Sequence, residues 1–280
     1  MRNVNFRGAR EERHPLTNSI RRAVLSILIF GLPAPAWSAT AIIGASRDNS
    51  IYQSAVNNSA GGAAGIFAGT NGQGSPRRGL IAFDVAANVP AEATITGAQL
   101  TMHLGNQNNA TGQAVGLHRL TADWGEGTAG SSTLNVGGGG NGFPAAAGDA
   151  TWSERFFGST AWTNPGASGD FNPAASASAT VGGLLDAPIH WLSTPQLVSD
   201  VQSWLDGPAT SFGWAIVNAN EASPATVKVF YSRSATVNAA GDTLDASFRP
   251  ALAVTYVVPE PSAAMLLLLA CPLALGRRRR

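Results

Sequence analysis

From Ala93 to Leu104 the chain alternates. Ile95, Gly97, Gln99, Thr101 and His103 fall on one parity, and Thr96, Ala98, Leu100, Met102 and Leu104 on the other. Successive side chains of a strand point to opposite faces, so a period of two marks a strand with one face in a core and one outside. Ala114 to Leu120 repeats the pattern, and the polar stretch Gly105 to Gly112 between them reads as a hairpin-type loop. Arg78 to Val85 sets Leu80, Ala82 and Asp84 against Ile81, Phe83 and Val85, which reads as a buried strand. Shorter runs at 41–45, 49–53, 65–69, 212–218, 225–232 and 249–257 have strand character too, as does the stretch 177–191. Turn residues separate them.

One helix interrupts this series. Thr194 is a good N-cap and Pro195 suits the first helical position. Leu197, Val198, Val201, Trp204 and Leu205 then follow a three-to-four spacing that builds one apolar face. Gly207 and Pro208 end it. Roughly nine or ten strands and one surface helix, over about 194–206, predict an all-β fold, a jelly-roll-like β-sandwich. The segment from Trp124 to Trp152 is the exception. It is rich in Gly, Ala and Ser, and a loop of that length in a compact domain is usually functional or disordered.

The two ends follow different rules. Residues 2–22 carry six arginines, Ala23 to Leu32 is apolar, and small residues follow around Ala36, Ser38 and Ala39. That order predicts a signal helix and a signal peptide over 1–38, cleaved after Ser38 or after Ala41, with an uncleaved anchor as the alternative. At the other end, Pro259-Glu260-Pro261 breaks any preceding element. An apolar run from Ala263 follows, then Arg277, Arg278, Arg279 and Arg280. The run is shorter than the ~20 residues that span a bilayer comfortably, and the arginines favour the cytoplasmic side. A short transmembrane helix of this kind suits a removable sorting signal over 258–280, or alternatively a tail anchor.

Between the ends, residues 39–258 hold eight basic and 14 acidic residues, a net charge of −6, although the whole chain is +1. An acidic body whose single lysine is Lys228 has no electrostatic footprint for nucleic acid. The sole cysteine, Cys271, lies in the tail, so the body has neither a disulfide nor thiolate chemistry.

Two resemblances follow from these residues. Val258-Pro259-Glu260-Pro261, the apolar run and the arginine cluster resemble the bacterial PEP-CTERM sorting signal. That resemblance implies processing by an exosortase after passage through the secretion translocon. Arg78-Gly-Leu-Ile-Ala-Phe-Asp, the stretch Pro90 to Leu100, the helix with Phe212-Gly-Trp, Phe230-Tyr-Ser-Arg233 and Arg249 to Tyr256 resemble the DNRLRE domain family across 39–257. Members of that family are exported β-sandwiches, and some are similar to carbohydrate-binding modules. Ser232-Arg233-Ser234-Ala235 lacks the glutamate that the family carries in this stretch.

No catalytic motif is present: no G-x-S-x-G elbow, no H-E-x-x-H, no P-loop. Body histidines His103, His118 and His190 lie far apart in strand-like segments, as core or surface residues do. Asp123, Glu126, Asp149, Glu154 and Asp170 bracket the long loop. Carboxylates so placed are solvated loop charges, ligands of a structural Ca²⁺ (Asp123, Glu126, Asp149, Asp170), or a catalytic pair. Trp124, Trp152 and Trp162 either pack a core or form a flat platform for sugar rings. The expectation is a non-catalytic exported protein of the cell surface or extracellular matrix, associated with extracellular polysaccharide. A polysaccharide-active enzyme using Glu126 and Glu154, and a purely structural envelope protein, are the rivals.

Overall fold

The computed structural model describes residues 37–259. The signal segment up to Ala36 lies outside them, as do Glu260, Pro261 and Arg277 to Arg280 of the sorting signal. Pro259 is the last described residue and is exposed.

Ten strands pair into one large antiparallel system: β1 (Trp37–Tyr52), β2 (Gly65–Thr70), β3 (Pro76–Phe83), β4 (Thr94–Gln107), β5 (Gln113–Arg119), β6 (Ala177–Val181), β7 (Pro188–Trp191), β8 (Trp214–Asn218), β9 (Lys228–Tyr231) and β10 (Ala251–Val258). The order is β1-β10-β4-β9-β2-β3-β8-β5-β6, with β7 also on β4. Strand β1 is shared. Trp37 to Gly44 pairs with β10, and Ala45 to Tyr52 pairs with β3 after a register shift at Ala45/Arg47. The two strands expected at 41–45 and 49–53 are therefore one, which crosses between the two faces of the fold.

The all-β expectation holds, and the details show where local pattern stopped short. In β4, Ala98, Leu100, Met102 and Leu104 are buried, as their parity requires. Ile95 is buried and Thr96 exposed, against the alternation. A register shift against β10 between Thr255 and Tyr256 is the reason, because the extra residue of a bulge reverses which side chains face inward. Residues 105–112 do not close a hairpin. Strand β4 continues to Gln107 and pairs with β10, β7 and β9, while β5 pairs with β6 and β8. The connection crosses from one part of the sheet system to another. Strand β3 is buried on both faces, with Ile81 and Phe83 in the main core and Leu80 and Ala82 in a second cluster behind it.

Helix α1 (Pro195–Asp206) forms as its caps predict. Thr194 Oγ1 accepts the Leu197 N–H at 3.0 Å, and Gly207 is the C-cap. Leu197, Val201, Trp204 and Leu205 enter the main core. Asp200 shares that buried face, which periodicity gave no sign of. Its side-chain oxygens accept from Trp214 Nε1 at 2.9 Å and Gln196 Nε2 at 3.0 Å, and also from Ser176 Oγ, so a buried polar side chain anchors the helix to β8.

The long loop is a cover. Val136 is fully buried with Tyr52, Phe67, Val229 and Tyr231, and Phe143 packs beside them. Residues 58–59 and 143–144 add a short pairing. The cover lies this close because Gly65 of β2 has no side chain. A Cβ there would collide with the Val136 carbonyl oxygen and stand 2.8 Å from Val229 Cγ1.

Gly65→Ala is expected to destabilise the protein by about 1–3 kcal/mol in chemical denaturation, through overpacking. An unchanged midpoint would show that the cover is not seated on β2. Asp200→Ala, which strips the partner from the buried Trp214 N–H, is expected to cost on the order of 1–3 kcal/mol.

Candidate functional site

Between the cover and the face made by β2, β4 and β9 lies a cleft of about 160 Å³. Phe67, Val227 and Val229 form its apolar floor, and Asn106, Gln107 and Asn108 at the end of β4 supply amides. Gly137 and Gly140 of the cover complete the wall. Arg77 of β3 reaches into it while only 4% exposed. Its Nη1 donates to Ser75 O at 2.9 Å, Nη2 to Asn141 Oδ1 at 2.7 Å and Nε to Gly140 O, and the guanidinium lies 5.7 Å over the Tyr52 ring. Burial pulls its pKa below the ordinary arginine value. Among the described residues no carboxylate lies within salt-bridge distance of it.

A second buried cation stands next to the cleft. Lys228 Nζ donates to Gln107 Oε1 at 2.8 Å, Asn109 O at 2.9 Å and Gly182 O at 3.1 Å. It too has only neutral acceptors among the described residues, and desolvation lowers its pKa. Through Gln107 it fixes the amide row of the cleft. A more spacious hollow, about 440 Å³, opens between the strand edges β6 and β7. Its one titratable side chain is His190, whose Nδ1 is engaged by Thr101 Oγ1 at 3.0 Å, so it offers little to orient a ligand.

The tryptophans do not form an exposed platform. Trp124, Trp152 and Trp162 are 0%, 6% and 4% exposed and belong to the cluster behind β3, with Ile51, Leu80 and Ala215. Trp124 Nε1 donates to Phe212 O at 2.8 Å and Trp162 Nε1 to Thr151 O at 2.9 Å. Arg47 lies 4.5 Å over Trp124, and Arg78 lies 5.4 Å over Trp152. The outer face of β3 is apolar, and covering it with indoles removes far more apolar surface from water than leaving them on a loop.

Nor do the loop carboxylates converge. Asp123 pairs with Arg47 at 2.7 Å. Glu126 takes a two-pronged bond from Arg233, both contacts at 2.6 Å, and accepts the Asp48 N–H at 2.8 Å. Asp149 accepts the Ala146 N–H, Glu154 the Gly158 N–H, and Asp170 both the N–H and the hydroxyl of Thr163. Among the described residues no three acidic, histidine or cysteine side chains stand together in a metal-binding group. The four residues expected to hold calcium are thus each engaged elsewhere. His103 stacks on Phe248, and His118 meets Phe171 edge-on.

Sequence reasoning passed over Asp48. It is 1% exposed, its Oδ2 accepts the Arg233 N–H at 2.8 Å, and its Oδ1 has no partner among the described residues. Burial pushes its pKa up to about 7; the nearby Glu126 charge adds to this, against the Arg233 N–H. Asp48 lies between the strand-like runs at 41–45 and 49–53, where no local pattern marks it for burial. Arg233 finds its carboxylate in Glu126 of the cover.

A comparison with known proteins finds no family model that matches this chain and no curated relative.

The Asp48 carboxyl titrates near 3.8 unfolded and near 7 folded. Between those values the fold retains a proton that the unfolded chain releases, so this group lowers stability as pH rises, and the slope ends above about pH 7. Asp48→Asn is expected to flatten the stability profile across that window and to be the more stable form at pH 8. Parallel profiles for the two proteins would contradict a buried, proton-retaining Asp48.

Proposed function

We propose that this chain is an exported, non-catalytic protein of the bacterial cell surface or extracellular matrix that contacts extracellular polysaccharide through the Arg77 cleft. The observation that carries the binding role is Arg77 itself: a buried guanidinium, balanced by no described carboxylate, in a cleft with an apolar floor and a row of amides. Amides exchange hydrogen bonds with hydroxyls, apolar side chains accept the C–H faces of sugar rings, and an unbalanced cation favours an acidic sugar. Export and exosortase processing rest on the order of segments at the two ends, from residues 1–38 and 258–280. The sheet system is read as jelly-roll-like.

The enzyme reading has less support. Glu126 is held by Arg233, and Glu154 is bonded to the Gly158 N–H, so both carboxylates are engaged in bonds within the fold. No resident metal is proposed.

Calorimetric titration of the purified protein against acidic and neutral polysaccharides tests the reading. Saturable heat with an acidic glycan is expected, weakened at least about tenfold by Asn108→Ala or Arg77→Gln, since losing a hydrogen bond to a charged group costs about 1.5–3 kcal/mol. Chelator is expected to change neither the heat nor the melting temperature. No heat with any glycan, from a folded sample, would leave a purely structural matrix protein as the better account.

A further inference from the structure

Asn-Gly occurs at Asn71-Gly72 and at Asn141-Gly142. The side-chain amide of such an asparagine is open to attack by the backbone nitrogen that follows. The two groups are neighbours, and glycine has no side chain to block the approach. At position 142 the fold itself demands the glycine. Its φ is +68°, and a Cβ there would stand 2.7 Å from Tyr52 Cε2.

The two sites differ in what holds the side-chain oxygen. Asn71 Oδ1 accepts from neutral backbone N–H groups, those of Gln73 at 3.0 Å and Ser75 at 2.8 Å. Asn141 is exposed, and its Oδ1 accepts from Arg77 Nη2 at 2.7 Å. Attack on Cγ drives negative charge onto that oxygen, and among the described residues Arg77 has no carboxylate partner. A fixed cation at a developing oxyanion lowers the barrier to reaction. Against this, the Gly142 N–H donates to Gly139 O at 2.7 Å and must leave it. The turn from Gly139 to Gly142 holds three glycines, the residues whose backbone rearranges most freely.

We propose that Asn141 is a site of spontaneous deamidation promoted by Arg77, which turns the amide facing the buried guanidinium into a carboxylate. The Gly142 nitrogen bonds to Asn141 Cγ, the Cγ–Nδ2 bond breaks, and ammonia leaves with the proton of the Gly142 nitrogen. Water then opens the cyclic imide. Its hydroxyl goes to one of the two imide carbonyl carbons and its hydrogen to the Gly142 nitrogen. Opening at Cγ gives aspartate. Opening at the backbone carbonyl carbon gives isoaspartate and disturbs the Asn141 carbonyl, which accepts from Asn58 Nδ2 at 2.9 Å. The aspartate product sets a carboxylate on Arg77, and a guanidinium paired in that way has little attraction left for an acidic glycan. The loss of affinity rests on the binding reading above, whereas the modification does not.

The test is a time course of peptide mapping by mass spectrometry, on purified protein held folded in mildly alkaline buffer and, in parallel, in denaturant. In the folded protein Asn141 is expected to convert ahead of Asn71. In denaturant, where Arg77 is no longer placed, the two are expected to convert at similar rates. Arg77→Lys, which keeps the charge and loses the Nη2 contact, is expected to slow Asn141 several-fold, less than the ~10²–10³ that an enzyme's enclosed oxyanion donor supplies. Asn141 staying intact, Asn71 leading in the folded protein, or an unchanged Asn141 rate in Arg77→Lys overturns the proposal. The comparison of folded with denatured protein needs no variant, so it decides even where Arg77→Lys fails to fold. Asn141→Asp is expected to weaken the heat with an acidic glycan at least about tenfold, as Arg77→Gln does. Conversion at Asn141 in a protein that binds no glycan overturns the binding reading and leaves the modification standing.

Discussion

One strand belongs to both faces of this protein, and the rest of the architecture follows from it. Trp37 to Gly44 pairs with β10 and Ala45 to Tyr52 with β3, with a register shift between the halves. The first half places Ile43 in the main core, and the second places Ile51 in the cluster behind β3 and Tyr52 in the cluster under the cover. Because β10 also pairs with β4, and β3 with β2 and β8, the circuit of hydrogen bonds closes through β9. A change of register in β1 would move side chains in all three clusters at once.

The polar residues near that shift tie the cover to the sheet. Asn49 is buried, accepts the Ala60 N–H at 2.9 Å and donates to Glu126 O at 2.9 Å and Ser59 Oγ at 2.9 Å. Glu126 in turn bonds the Asp48 N–H and Arg233. Buried polar groups cost free energy unless partnered, so the fully bonded Asn49 amide permits few other placements of the loop. The Glu126–Arg233 pair is partly exposed, and its strength lies more in orienting the loop than in stability. Arg77 and Lys228 belong to another type, being buried cations held only by neutral oxygens among the described residues. Such groups retain attraction for an anion that a paired arginine has already spent.

Where a signal was local, it was legible. Thr194, Pro195 and Gly207 bounded the helix because capping acts within a few residues. The parity of Ala98, Leu100, Met102 and Leu104 named a core face because pleating is local. Prediction failed where a distant partner decided the outcome. The bulge opposite Thr255 and Tyr256 reversed Ile95 and Thr96, and the long β4 found β9 instead of closing a hairpin on β5. The indoles flanking the glycine-rich loop looked available for sugars, yet the apolar back of β3 claimed them. Arg77 was only one basic residue in a strand until the cover closed over it.

The sequence by itself determined the class of the fold, its helix, the absence of cysteine from the body and the distinct character of the two ends. Each of these is set by composition or by neighbours a few residues away. Only the tertiary structure decided which carboxylates find arginines, which aromatic rings are buried and where a cation stays unbalanced. Those outcomes depend on contacts between residues far apart in the chain, such as Glu126 with Arg233 and Arg77 with Asn141, and no local period encodes them. The same holds for Trp37 and Val258, which meet because β1 and β10 pair across the whole length of the body.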